Sequence, residues 1–355
     1  MATVSTYTPG APTDALHAIW EAGVGAVHAA YSLPAAKFHS LLNAPRAVAH
    51  VAAVDGAAVG FALTYLIRVG SAVDKAKQHD KGSLAALIVL PAHRHKGVGS
   101  ALNDAAVAQL SADVRASFAR STPAPTTGDI QLGSTFPRIF PGLPAIPAFD
   151  GAKDWLNKRG WSIKDSTNID LYGSLPNGVD LEKQTETAKS HGITFRAATA
   201  EDEAALMELE YGEFGSFTGW PDQFPRFIAA GRAGDIFLAL SKKGEIIGAT
   251  LAAMPGSPVH AQMAWPDLLG SKCSVIACVG VSAKSRGEGA GVGLCAAALI
   301  DLVKRGADGC FIDWVSMVGF YERFGLKQWE AKYWDGGRWV VREGGADAQA
   351  SRVER

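Results

Sequence analysis

Two segments set an arginine and two glycines at the start of a helical pattern. One reads Leu87-Ile-Val-Leu-Pro-Ala-His-Arg94-His-Lys-Gly97-Val-Gly99-Ser-Ala-Leu102. The other reads Cys278-Val-Gly-Val281-Ser-Ala-Lys-Ser-Arg286-Gly-Glu-Gly289-Ala-Gly291-Val-Gly-Leu294. Each is an apolar strand, a short turn, Arg-x-x-Gly-x-Gly, and a helix. Backbone N–H groups gathered on a positive helix end form a nest for phosphate or pyrophosphate. Glycines let the backbone approach such a ligand with no Cβ in the way. A dinucleotide loop would be Gly-x-Gly-x-x-Gly near the start of a βαβ unit, with an acid ~20 residues on. Here the loops lie roughly 90 residues into each half of the chain, with the arginine leading. A Walker loop needs Gly-Lys-Ser/Thr, which neither segment has. A helix-entry turn with no ligand is the remaining alternative.

The elements around these loops occur twice. The two arginines are 192 residues apart (286 − 94). Upstream, Val54-Asp-Gly-Ala-Ala-Val-Gly60 matches Lys242-Lys-Gly-Glu-Ile-Ile-Gly248, each predicting a hairpin. Downstream, Trp155-Leu-Asn-Lys-Arg-Gly160 matches Phe320-Tyr-Glu-Arg-Phe-Gly325, each predicting a helix end closed by glycine. Three landmarks in one order imply a duplication. Each half reads strand, helix, hairpin, strand, glycine loop, helix, strand, helix, strand: a mixed α/β layer.

Arg94 to Gly160 spans 66 residues and Arg286 to Gly325 spans 39, so the first half carries about 27 more. The excess falls between Ser111 and Phe149, where Pro137, Pro141, Pro144 and Pro147 rule out a helix or central strand. That segment either packs over the partner half or walls a substrate pocket. The halves join through the polar segment Ser174–Gly192, giving domains at 1–175 and 188–345. Thr199-Ala-Glu-Asp202 is a helix-start signature for the second half. The tail from Glu343 is small and polar and is expected to fray.

Composition limits the classes. At roughly 150 residues per domain, 355 residues make two domains. Hydrophobic residues are 48% and charged residues 19%, enough for a sizeable core. Lys+Arg number 34 against Asp+Glu 35, which removes the electrostatic basis for nucleic-acid binding. No apolar run approaches the ~20 residues of a membrane helix. Met1–Gly10 shows no secretory pattern, so a cytoplasmic protein with no membrane partner is expected. Cys273, Cys278, Cys295 and Cys310 read as reduced core thiols, of which only Cys278 lies beside a glycine loop. His93 and His95 have no third ligand nearby in sequence, so no metal is expected. Oligomeric state has no signature in the sequence.

The strand, the Arg-x-x-Gly-x-Gly loop and the later Phe320-Tyr-Glu-Arg-Phe-Gly325-Leu together resemble the GCN5-related N-acetyltransferase (GNAT) family. The resemblance covers nearly the whole chain as two tandem GNAT-fold domains. It extends to the subgroup of glucosamine N-acetyltransferases and related domains of fungal N-acetylglucosaminidases, through Leu132-Gly-Ser, Phe140-Pro-Gly-Leu-Pro144 and Phe311-Ile-Asp-Trp-Val. It implies that acetyl-CoA is bound by Arg286, Gly287, Glu288, Gly289, Ala290 and Gly291, and by Arg94, His95, Lys96, Gly97, Val98 and Gly99 in the first half. The strands Val279, Gly280, Val281 and Leu87–Val89 would offer backbone groups to the pantetheine arm and thioester carbonyl.

Acyl transfer to an amine needs a proton acceptor for the amine, N–H donors for the oxyanion and a proton for the departing thiolate. In the family a tyrosine commonly gives that last proton. Four residues before the aligned glycines stand Tyr321 in the second half and Leu156 in the first, which makes the second half the catalytic one. Asp313, among apolar neighbours, is expected to be partly desolvated and to act as base. Glu210 and Glu213 either recognise a cationic amine or lie on a solvated helix face. Trp220 with Asp222, and Trp265 with Asp267, pair an aromatic plate with a carboxylate, which suits a sugar ring; packed loop anchors are the alternative. The expected activity is N-acetylation of a small primary amine, an amino sugar such as glucosamine. An aminoglycoside, an amino-thiol conjugate, or a non-catalytic acetyl-CoA sensor are the alternatives.

Overall fold

The computed structural model describes residues 2–7, 13–70, 76, 78–317 and 319–341; the tail from Glu343 lies outside them. Two compact units form, one of Met1–Val69, Asp74–Asn168 and Lys332–Arg355, the other of Gly70–Val73 and Ile169–Ala331.

The first unit runs β1 (Thr3–Thr6), α1 (Asp14–Trp20), α2 (Ala35–Leu42), β2 (Ala47–Val54), β3 (Ala57–Val69), β4 (His79–Val89), α3 (Val98–Phe118), β5 (Gly128–Leu132), β6 (Leu143–Pro144) and α4 (Asp150–Asn157). Strands β1 to β4 are antiparallel neighbours, and β5 joins β4 in parallel. The expected hairpin turns at Asp55 (φ 51°) and Gly56 (φ 81°), the left-handed pair a two-residue hairpin loop prefers. Helix α3 lays Leu102, Ala106, Leu110 and Val114, spaced by four, against Ala62, Leu84 and Ile130. The proline-rich segment forms only β6 and a 3-10 turn at Pro147–Phe149. Its Phe140 is buried inside the first unit, edge-on to Tyr31 at 4.8 Å and stacked on Trp20 at 6.1 Å.

Strand β7 (Ser162–Ser174) leaves the first unit and enters the second. There follow α5 (Glu186–Ser190), β8 (Thr194–Ala197), α6 (Glu203–Phe214), α7 (Gln223–Ala229), β9 (Ile236–Leu240), β10 (Ile246–Ala253), α8 (Pro258–Ala261), α9 (Pro266–Leu269), β11 (Cys273–Val281), α10 (Ala290–Lys304), β12 (Gly309–Val315) and β13 (Lys327–Val341). The Thr199 and Asp202 side chains close the expected capping box ahead of α6. Strands β8 to β11 are antiparallel neighbours, β12 lies parallel to β11, and Ile169–Ser174 of β7 runs antiparallel to β12. In the first unit, Gly337–Val341 of β13 pairs with β5. Each unit is therefore completed by a strand from the other half of the sequence.

The duplication is visible in the backbone. Strands β4 and β11 end at Val89 and Val281, and helices α3 and α10 start at Val98 and Ala290, each pair 192 apart (281 − 89; 290 − 98). Between them, left-handed His95 (φ 59°) and Gly97 (φ 84°) correspond to Gly287 (φ 91°) and Gly289 (φ 79°). A Cβ at Gly60 would stand 2.7 Å from the Ile88 carbonyl, and one at Gly248 2.7 Å from the Gly280 carbonyl, so both hairpins need glycine there. The copies differ further on. The helix expected before Gly160 is α4, whereas before Gly325 only a 3-10 turn, Glu322–Phe324, forms.

Candidate functional site

The site of the second unit begins where its sheet opens. The β11–β12 ladder runs from Cys273 opposite Gly309 to Ile276 opposite Ile312 and stops, although the strands continue to Val281 and Val315. Two bulges cause this. Against β10, Ala277 faces Leu251 and Gly280 faces Ala249, so Cys278 and Val279 together oppose Thr250. Cys278 takes a left-handed conformation (φ 55°), and the Thr250 hydroxyl donates to the Ala277 carbonyl at 3.0 Å. On the other side the β12–β7 register shifts between Ile312 and Val315. There Trp314 (φ 51°) donates its N–H to the fully buried Asp170 carboxylate at 2.9 Å. Bulges bend strands and end pairing, so β11 presents backbone from Val279 to Val281 to an opening. Asp170 went unread in the sequence. An acid between Ile169 and Leu171 in a strand was the available signal.

At the end of β11 a 3-10 turn, Ala283–Ser285, leads through Arg286, Gly287 and Gly289 into α10. The first-turn N–H groups of α10 have no partner within the helix. Arg286, Gly287 and Glu288 are exposed, whereas Ala290 is buried. An unladdered strand edge followed by an N–H nest and an arginine fits an extended pantetheine chain ending in a diphosphate. Glu213, a candidate for holding a cationic amine, bonds this turn. Its carboxylate accepts from the Ser282 hydroxyl at 2.9 Å and the Ala283 N–H at 3.3 Å, anchoring the turn. Those bonds, with the Arg286 and Lys284 charges, hold its pKa below the usual carboxylate value. The first unit repeats the arrangement with differences. Its β4–β5 ladder stops at Leu84 opposite Leu132, and Arg94 Nε donates back to the Val89 carbonyl at 3.1 Å.

The Cys278 thiol meets the Trp220 carbonyl and couples electrostatically to Glu210, Asp313 and Tyr321. Helix α6 buries Leu206, Met207, Glu210 and Phe214, so Glu210 lies within the apolar stripe and is fully buried. Neither Glu210 oxygen has a hydrogen-bond partner of good geometry among the described residues. Burial pushes its pKa well up, only partly offset by the Trp220 indole. Cys278 approaches the Trp220 carbonyl at 3.9 Å, and its thiol is pushed up by burial, then by Glu210 and Asp313. Asp313 has the partial burial expected of it, and Glu210 is buried further. Asp313 is half-buried, because the ladder that would cover it ends at Ile312. The stripe Leu206–Met207–Phe214 was the signal for the buried acid.

Tyr321 opens the Glu322–Phe324 turn and is 6% exposed. Burial raises its phenol well above the ordinary value, with Cys295, Asp313 and Cys278 adding to the effect. The pairing of Tyr321 with Leu156 has a structural counterpart. A Cβ at Gly291 would stand 3.8 Å from the Phe320 ring, and one at Gly99 3.4 Å from the Trp155 ring. In both units the preceding aromatic thus covers the start of the glycine-loop helix.

The tryptophan–carboxylate pairs separate. Trp265 is fully buried against Trp329 (5.6 Å) and its Asp267 reaches buried His260 at 3.2 Å, so this pair anchors a loop and offers no stacking face. Trp220 is half-buried, stacked on Phe214 at 5.6 Å with Phe217 at 4.9 Å. Asp222 accepts from the Tyr211 hydroxyl at 2.7 Å. Phe217, 51% exposed, was not singled out in the sequence. Among the described residues no group of three His, Cys, Asp or Glu is placed to hold a metal, and no helix is long and apolar enough to cross a membrane.

Residues 14–120 match the acetyltransferase (GNAT) family model. Among solved structures, a GCN5-related glucosamine N-acetyltransferase region of a fungal multi-domain GH3 β-N-acetylglucosaminidase matches with a TM-score of 0.79 and 27% identity. The match covers 95% of this chain and 38% of that one, so this chain spans well under half of that enzyme. A GCN5-related N-acetyltransferase from Sphaerobacter thermophilus matches with a TM-score of 0.62 and 17% identity, over 98% of this chain and 97% of that one. A tandem GNAT protein from the clavulanic acid biosynthesis pathway matches with a TM-score of 0.54 and 15% identity, over 99% and 100%. The last two show the shared fold. No curated protein matches the sequence.

Proposed function

We propose that the chain is a tandem member of the GNAT acetyltransferase family and that its second unit acetylates the primary amine of a small molecule, an amino sugar such as glucosamine. The observation that carries this reading is Tyr321, a buried phenol aligned in the repeat with Leu156 of the first unit. Acetyl-CoA supplies the acyl group and a thiolate leaving group. Arg286 and the N–H groups from Gly287 to Gly291 would hold its diphosphate, and Val279, Gly280 and Val281 its pantetheine arm. The first-unit loop, Arg94 to Gly99, has the same backbone and is a second place for the same ligand.

The chain's own groups divide the work. Burial keeps the Tyr321 phenol protonated, as a proton donor to a departing thiolate must be. Backbone N–H groups of β11 beyond the bulge would donate to the developing oxyanion. The Asp313 carboxylate at the opening attracts an ammonium group. Cys278 is the one thiol beside the glycine loop, and burial holds it as a thiol, so the amine attacks directly and no acyl-cysteine forms. The exposed Phe217 ring beside Trp220 gives a sugar ring a stacking face, and a resembling structure carries a glucosamine N-acetyltransferase region. Four free cysteines suit a reducing cytoplasm.

The test is CoA release from acetyl-CoA with glucosamine among a panel of amines. Turnover should fall about 10²–10⁴-fold in Tyr321→Phe, the range for loss of a proton-transfer group, with acetyl-CoA affinity by calorimetry unchanged. A wild-type protein that binds acetyl-CoA but turns over no amine would defeat the proposal and leave a sensor.

A further inference from the structure

We infer that Glu210 is the group that takes the proton from the attacking amine, and that it sheds its own proton only when the ammonium charge arrives. This rests on acetyl transfer in the second unit. Glu210 lies in the apolar stripe of α6, fully buried, with neither oxygen in a hydrogen bond of good geometry among the described residues. A buried carboxyl without partners costs stability, and helix α6 would be better served by a leucine there. Helix α6 packs on the bulged strand through Phe214, whose ring would stand 2.5 Å from a Cβ at Gly280, and Glu210 lies one turn earlier on the same buried stripe; Asp313 acts on both the Cys278 thiol and the Tyr321 phenol.

Among the described residues no cation acts on Glu210. The Trp220 indole and the Cys278 thiol are neutral, and the other group acting on that thiol, Asp313, is a second carboxyl. Strand β10 carries no titratable side chain. On α7, Arg226 is exposed and bonds Gln262 at 3.2 Å. Before α6, Asp202 is held by Arg196 at 2.7 Å and Glu201 is exposed; one turn on, Glu213 is tied to the glycine-loop turn. The protein leaves the counter-charge to be supplied from outside, and burial alone keeps the empty site neutral.

The protons balance over a cycle. Glu210 starts protonated, and its proton passes to solvent as the ammonium binds. The carboxylate then takes one N–H proton, and the nitrogen lone pair is free to form the N–C bond as the C–S bond breaks. The thiolate takes the Tyr321 proton, and the second N–H proton of the new amide restores the phenol. Glu210 ends protonated, as it began, and one proton has been released per turnover.

Two readouts on the full-length protein test this with glucosamine as probe. In infrared difference spectra at pH 7, wild type should show a protonated-carboxyl band that is missing from Glu210→Gln and vanishes when glucosamine is added. In CoA-release assays, Glu210→Gln should lose about 10²–10⁴-fold in kcat at pH 7 and recover toward wild type above the amine's own pKa, where the amine arrives neutral. Persistence of the band with glucosamine bound and normal wild-type turnover would overturn the role of Glu210 alone. A loss in Glu210→Gln that is equal at every pH would also overturn it. A wild type that loses the band yet releases no CoA would overturn the acetyl-transfer reading.

Discussion

Glu210 sets stability against activity at one side chain. Its ordinary pKa is 4.5 and burial raises it well above that in the folded protein. Between those values the folded state binds one proton more than the unfolded chain. Stability therefore falls as pH rises through that window, by ~1.4 kcal/mol per pH unit. Glu210→Gln carries no charge to bury and should escape that loss. Thermal melts should show the variant more stable than wild type at pH 8 and the gap closing by pH 4; a variant less stable at pH 8 would contradict the burial. The residue scale is also where the sequence was hardest to read. Tyr321 stood out because the duplication offered Leu156 beside it. How far Asp313 and Glu210 are buried depends on where a strand ladder ends and which way a helix faces, and both are set by packing between distant segments.

At the scale of elements, α6 and β11 are fitted together through Phe214 and Gly280. A Cβ at Gly280 would stand 2.5 Å from the Phe214 ring, four residues after Glu210 on the same helix. Gly280→Ala should push α6 outward, cost about 1–3 kcal/mol as overpacking does, and displace Glu210 with the helix. Paired melts and CoA-release assays check this: kcat should fall further than Phe214→Leu makes it fall, since the leucine leaves the helix seated. The hairpins, the glycine loops and the capping box were legible because local residue types dictate them. The bulges at Cys278 and Trp314 were not, because the Thr250 hydroxyl and the Asp170 carboxylate that fix them come from other strands. The helix expected before Gly325 shortens to a turn, which leaves Tyr321 at its start rather than along its length.

At the scale of the whole molecule, the division of the sequence and the division of the structure differ in kind. Residues Ile169–Ala331 form one unit although the repeat places β7 with the first half, and Lys332 onward belongs with the other. Nothing in a linear repeat marks such a trade, since which sheet edge a strand joins is set by segments far away in sequence. A chain cut after Val179 should give two fragments that each lack a strand, leaving β5 and β12 as open edges. Neither fragment should melt cooperatively alone, and mixing them during refolding should restore the native transition; a fragment with its own native-like melt would refute this. The strand trade also bears on ancestry. Two copies that close each other's sheets cannot be separated by deletion, because losing one leaves the survivor unfinished. On the proposed division of labour the first copy is kept for the strand it lends, whichever side chain stands at Leu156.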